Sequence, residues 1–127
     1  MEPLVIDQTQ NTPYINLDKE NNEFVFKGMS LPENSNEFYK PVLDWLNEYF
    51  RDPNPETRLT FIFDYINTSS SKTLTNILKI FEKQHAFGTK VSVSWKFQPD
   101  DVEMLEFAEE MKHIIRVPIN ISTVEQE

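Results

Sequence analysis

Residues 58–72, RLTFIFDYINTSSSK, hold a change of period. Leu59, Phe61, Phe63 and Tyr65 alternate with Thr60, Ile62, Asp64 and Ile66, which is the period of two of a β-strand. Apolar residues in both sets predict a central strand covered on both faces. Beyond the junction, Leu74, Ile77, Leu78 and Phe81 recur at helical spacing. A buried strand that hands over directly to an amphipathic helix is the joint of an α/β fold. Between the two stand Asn67, Thr68, Ser69, Ser70 and Ser71, all residues that cap helices well. A cap needs one of them. The others call for a second explanation.

Upstream, PYINLD and EFVFKG flank the polar connection KENN and predict a hairpin. MSLPENSNE reads as a loop. Phe38, Val42, Trp45, Leu46 and Tyr49 then share one helical face, with Asn34 and Glu37 at capping-box spacing. Pro41 predicts that the regular helix starts less than a turn before it, where amides lack internal acceptors. RDPNPE, with two prolines, ends that helix.

Downstream, Gly88 in HAFG suits a left-handed cap at the end of the second helix. KVSVSWKF alternates almost strictly and predicts a strand near an edge or under partial cover. PDDVEMLEFAEEMKHII opens with Asp100 three residues before Glu103, a capping-box-like start, and carries Met104, Ala108, Met111 and Ile115 as its buried stripe. VPINIST closes as an edge strand because Pro118 lacks an amide to donate. The expectation is one α/β domain over residues 1–127, a mixed β-sheet with element order ββαβαβαβ and right-handed crossover helices.

Composition agrees and narrows the function. A chain of 127 residues with 39% hydrophobic content is the size of one domain. Its apolar runs fall well short of the roughly 20 residues a membrane helix needs. MEPLVIDQTQ lacks the basic and apolar regions of a signal peptide, and there is no cysteine; both fit a cytoplasmic protein. A net charge of −9 argues against a nucleic-acid partner, whose phosphates call for a basic face.

Much chemistry is also absent. With glycine only at 28 and 88, neither a phosphate-binding loop nor a dinucleotide turn can be written. His85 and His113 lie near helix C-termini, where the dipole favours cations. The acidic runs read as helix starts and a solvated face, so no catalytic residues, metal or cofactor are expected. No GxSxG elbow presents a serine. The hydroxyl cluster remains, at the N-terminus of a helix and at the strand ends where α/β sheets bind ligands. Three readings stay open: a generous cap, a place to hold a phosphate, or a place to attach one.

FDYINTSSSKTL, preceded by LPENSNEFYKPVLDWLNEY, resembles the SiaC family of bacterial regulatory phosphoproteins, akin in fold to the STAS domains of SpoIIAA-like anti-sigma-factor antagonists. The resemblance extends to the opening YINLD and to the segment from VSWKF through DDVEMLE, so it covers nearly the whole chain. It implies a non-enzymatic partner-switching protein. A serine/threonine kinase of the anti-sigma-factor type modifies a hydroxyl at the start of the helix after the central strand, and a PPM-type phosphatase removes the phosphate. The unmodified form binds an output protein such as a diguanylate cyclase. Carried onto this chain, the acceptor is Thr68, while Asn67, Ser69, Ser70, Ser71 and Lys72 form the surrounding switch. For PENSNEFYKP two readings stand: a helix entry anchored by Phe38, or a partner surface made by Glu33, Asn34, Phe38 and Tyr39 beside Thr68. The alternative function is a STAS-like domain that binds a nucleotide or small anion at the same hydroxyls.

Overall fold

The computed structural model describes residues 1–124; residues 125–127 of the expected domain lie outside the described residues. Six strands form one sheet in chain order: β1 (Leu4–Ile6), β2 (Tyr14–Asp18), β3 (Glu23–Ser30), β4 (Glu56–Ile66), β5 (Lys90–Phe97) and β6 (Ile119–Thr123). The first three form an antiparallel meander, and β3 to β6 run parallel. The helices α1 (Ser35–Tyr49), α2 (Thr68–Ala86) and α3 (Val102–Ile114) link the parallel strands.

Chain-ordered parallel strands with crossovers of one hand place every helix on the same face, and the contacts agree. Phe26, Phe61 and Trp95 are register neighbours on adjacent strands. Tyr39 of α1 stacks on Phe26, and Phe107 of α3 meets Trp95 edge-on at 5.5 Å. The core is therefore one layer of aromatic and aliphatic side chains between sheet and helices. The sheet's other face is open. Thr60 and Ile62 are only half-buried there, so β4 is covered on one face rather than the two expected. Thr60 and Ser94 on that face are polar and only half-buried, which suits a face left uncovered.

Other expectations are corrected as well. The element order gains a strand at the start, because Leu4 and Ile6 lie beside Leu17 and Ile15 and extend the apolar face. Three residues are too short a run to show a period, and the Trp45 indole N–H helps hold this segment by donating to the Glu2 carbonyl at 2.8 Å. Pro41 lies well inside α1, six residues beyond its first residue, rather than within its first turn. The buried Tyr39, Val42, Trp45 and Leu46 on either side carry the helix through it. Finally, α3 is capped by Asp101, whose carboxylate accepts from the Met104 amide at 3.0 Å, and not by Asp100.

Three further features fall as read. The hairpin turns through residues 19–22 with Asn22 at φ 54°, α2 is followed by Gly88 at φ 96°, and β6 is an edge strand. Residues 29 and 30, assigned to a loop, instead complete β3. Between Gly28 and Met29 the pairing to β4 slips by a residue: Gly28 faces Phe63 while Met29 faces Tyr65, leaving Asp64 unpaired. This bulge re-aims the end of β4. Tyr65 leaves the buried row of Leu59, Phe61 and Phe63 and is 47% exposed, immediately before the hydroxyl cluster.

Candidate functional site

Two helix N-termini meet at the ends of β3 and β4. Asn34 caps α1 by accepting from the Glu37 amide at 3.1 Å, and Asn67 caps α2 by accepting from the Ser70 amide at 2.8 Å. The caps are alike because an Asn side chain holds its own backbone extended while it takes an orphan amide. PENS and INTSSS, distant in sequence, come together: the Ser35 and Ser69 hydroxyls lie 2.7 Å apart.

Beneath this contact is a buried hydroxyl network. Ser30 Oγ lies 2.6 Å from Tyr39 Oη and donates to Ser70 Oγ at 2.8 Å. Ser70 and Tyr39 are both 0% exposed. Buried hydroxyls without partners would be costly, and here each satisfies another across β3, α1 and α2. Burial pushes the Tyr39 phenol up to about 12, against the smaller opposing effect of its hydrogen bond to Ser30. Tyr39 thus stands under the site and not on its surface. Phe38 is half-buried, whereas Glu33 and Asn34 are exposed.

The five junction residues divide by role. Asn67 caps. Ser69 Oγ bonds Ser35 and donates to Asn67 Oδ1 at 3.3 Å. Ser70 is sealed in the network. Ser71 Oγ donates to the Thr68 carbonyl at 2.7 Å. Thr68, the first residue of α2, is exposed, and its Oγ1 makes no hydrogen bond among the described residues. The Thr68 and Ser69 amides precede the helix's own ladder and point toward the positive end of its dipole. Lys72, also exposed, follows at the start of the second turn.

Thr68 borders an open groove of about 260 Å³ whose walls include Tyr65, Ser71, Met104 and Phe107. Three carboxylates, Asp64, Asp101 and Glu103, also line it. Those charges oppose a bound anion and weaken the reading of the cluster as a nucleotide cradle. Among the described residues no group of three or more acidic or histidine side chains is arranged to hold a metal ion.

The profile of the family described as SiaC family regulatory phosphoprotein matches residues 6–124. The chain belongs to the SiaC family. An uncharacterised protein of Pseudomonas aeruginosa is 34% identical over 121 residues, 95% of this chain and 96% of its own length. Apo-SiaC from Pseudomonas aeruginosa superposes with a TM-score of 0.88 at 34% identity, covering 96% of this chain and 99% of that one. SiaC from the same organism, in complex with the diguanylate cyclase SiaD that it activates, gives 0.90 at 33% identity and covers 95% and 99%. This SiaC-family protein is therefore a regulatory phosphoprotein with a mixed six-stranded α/β fold. No helix among its described residues is long and apolar enough to cross a membrane.

Sequence reasoning missed Ser30, Ser35 and the groove acids Asp64 and Asp101. A signal for Ser30 was present, since it continues the alternation of Phe24, Phe26 and Gly28 on the helix-facing side of β3. The partnership of Ser35 with Ser69 had none, because it depends on where α1 lands.

Proposed function

We propose that this protein is a non-enzymatic partner switch whose phosphoacceptor is Thr68. The observation that carries the reading is the division of labour among the hydroxyls: Ser69, Ser70 and Ser71 are engaged in holding the helix start, while Thr68 Oγ1 is exposed and unengaged. A serine/threonine kinase of the anti-sigma-factor type adds the phosphate, a PPM-type phosphatase removes it, and the unmodified protein binds and regulates a diguanylate cyclase in the cytoplasm. The relative seen with the cyclase SiaD supports that choice of output.

The switch works through charge. A phosphate on Thr68 adds about −1.5 to −2 charge and three acceptor oxygens. The free amides and dipole of α2 accommodate it, so the domain keeps its fold. A partner packed over the groove instead meets a dianion added to three existing carboxylates, and each 1.4 kcal/mol of that penalty is tenfold in affinity.

Tandem mass spectrometry on the protein from its host, with Thr68→Ala as control, tests the acceptor. Phosphate on residue 68, lost in the variant, is expected. Modification confined to Ser69, Ser70 or Ser71, or none across growth conditions, overturns the assignment.

A further inference from the structure

A second cavity, of about 480 Å³, opens where α3 turns back into the edge strand β6. Arg58, Ser92, Ser94 and Asn120 reach it from the uncovered face of the sheet, where Arg58 pairs in register with Ser92 and Ser94 with Asn120. Lys112, near the end of α3, supplies a second cation, and Val117 and Pro118 of the connection form apolar wall.

Three features set this cavity apart from the groove at Thr68. It is lined by two cations and, among the described residues, by no carboxylate, although the chain carries a net charge of −9. Neither Arg58 nor Lys112 takes part in an ion pair among the described residues. Ser92 Oγ is buried and has no hydrogen-bond partner, a cost that native structures rarely leave standing without a reason. A guanidinium fork, an ammonium, two hydroxyls and a carboxamide together are a donor-rich set matched to an oxyanion. The volume falls within the range of about 300–1,000 Å³ typical of small-ligand sites and exceeds what a bare phosphate fills.

We infer that this cavity binds a phosphate- or carboxylate-bearing ligand, held by Arg58 and Lys112 with Ser92, Ser94 and Asn120 as neutral partners, its organic body lying against Val117 and Pro118. The site is separate from the switch. Arg58 lies near the start of β4 and Thr68 follows its far end, roughly 25 Å along the strand at about 3.3 Å per residue. The oxyanion can come from a free metabolite or from an acidic side chain on a polypeptide.

Amide chemical-shift titrations of the full ¹⁵N-labelled chain test this. The probes are inorganic phosphate, succinate and a hexaglutamate peptide, with ionic strength held constant by sodium chloride. Saturable shifts at Ser92, Ser94 and Asn120 with at least one probe are expected. Arg58→Gln and Lys112→Gln should each weaken binding about tenfold, the scale of one lost charge-assisted hydrogen bond. Both side chains are exposed, so the unperturbed remainder of the spectrum verifies the fold of each variant. Saturation by phosphate or succinate assigns a small ligand, and saturation by the peptide alone assigns an acidic polypeptide; either supports the site. No saturable shift with any probe, shifts centred on residues 67–71, or unchanged binding in both variants overturns it.

Discussion

Tyr39 illustrates how a single side chain can change sides between a sequence and a fold. Its neighbour Phe38 carries the apolar signature, yet Phe38 is half-buried while the Tyr39 ring is fully enclosed and its hydroxyl meets Ser30 at 2.6 Å. The buried phenol resists ionisation, and the sign of the consequence follows from linkage. Its pKa is about 12 in the fold against an ordinary 10. Between those values the unfolded chain loses the proton first, so stability is fully present below about pH 10 and falls as pH rises toward 12, by about 1.4 kcal/mol per pH unit. Urea unfolding of the protein and of Tyr39→Phe at pH 9 to 11.5 checks this. The variant should be less stable by about 1 kcal/mol at pH 9 for want of the hydrogen bond, and its stability should decline less steeply above pH 10. Tyr65 makes the complementary case. Its parity with Phe63 predicted burial, and the bulge at Asp64 turned it outward, because the pairing of β3 with β4 is a property of two strands and not of one.

The elements themselves were largely legible. All three helices and five of the six strands follow from periodicities of 3.6 and 2, since burying one face imposes those periods on any sequence that does it. β1 was not legible, because its three residues are stabilised by the neighbouring strand rather than by a pattern of their own. Helix α1 shows tertiary packing overriding local preference. Pro41, inside the helix and exposed, cannot donate to the Glu37 carbonyl and crowds it. Pro41→Ala should therefore raise stability by about 1–3 kcal/mol, read as an upward shift of the urea midpoint with an unchanged slope. At the start of α2 the cap has the opposite sign. Asn67→Ala removes the acceptor of the Ser70 amide and should lower stability by about 1 kcal/mol in the same measurement.

At the scale of the whole molecule, one apolar layer joins a sheet to three helices, and the helix starts converge at one end of it. A phosphate added there lies outside the core. Complete phosphorylation of Thr68 should shift the melting temperature by no more than a few degrees while weakening binding of the proposed cyclase partner at least tenfold, as measured by scanning calorimetry and by isothermal titration of the two forms. Loss of the cooperative transition on phosphorylation would show instead that the switch acts by unfolding. The order of elements from β2 onward, the helices' amphipathic faces and the hydroxyl-rich helix start were determined by the sequence alone, because each is local: a period, a cap, or a run of residues within one turn. Which hydroxyl is free, that Ser35 comes to hold Ser69, and that Arg58 and Lys112 share a cavity were decided by the tertiary structure. These are distances between segments remote in the chain, set only when strand register, a one-residue bulge and the seating of the helices on the sheet are all in place.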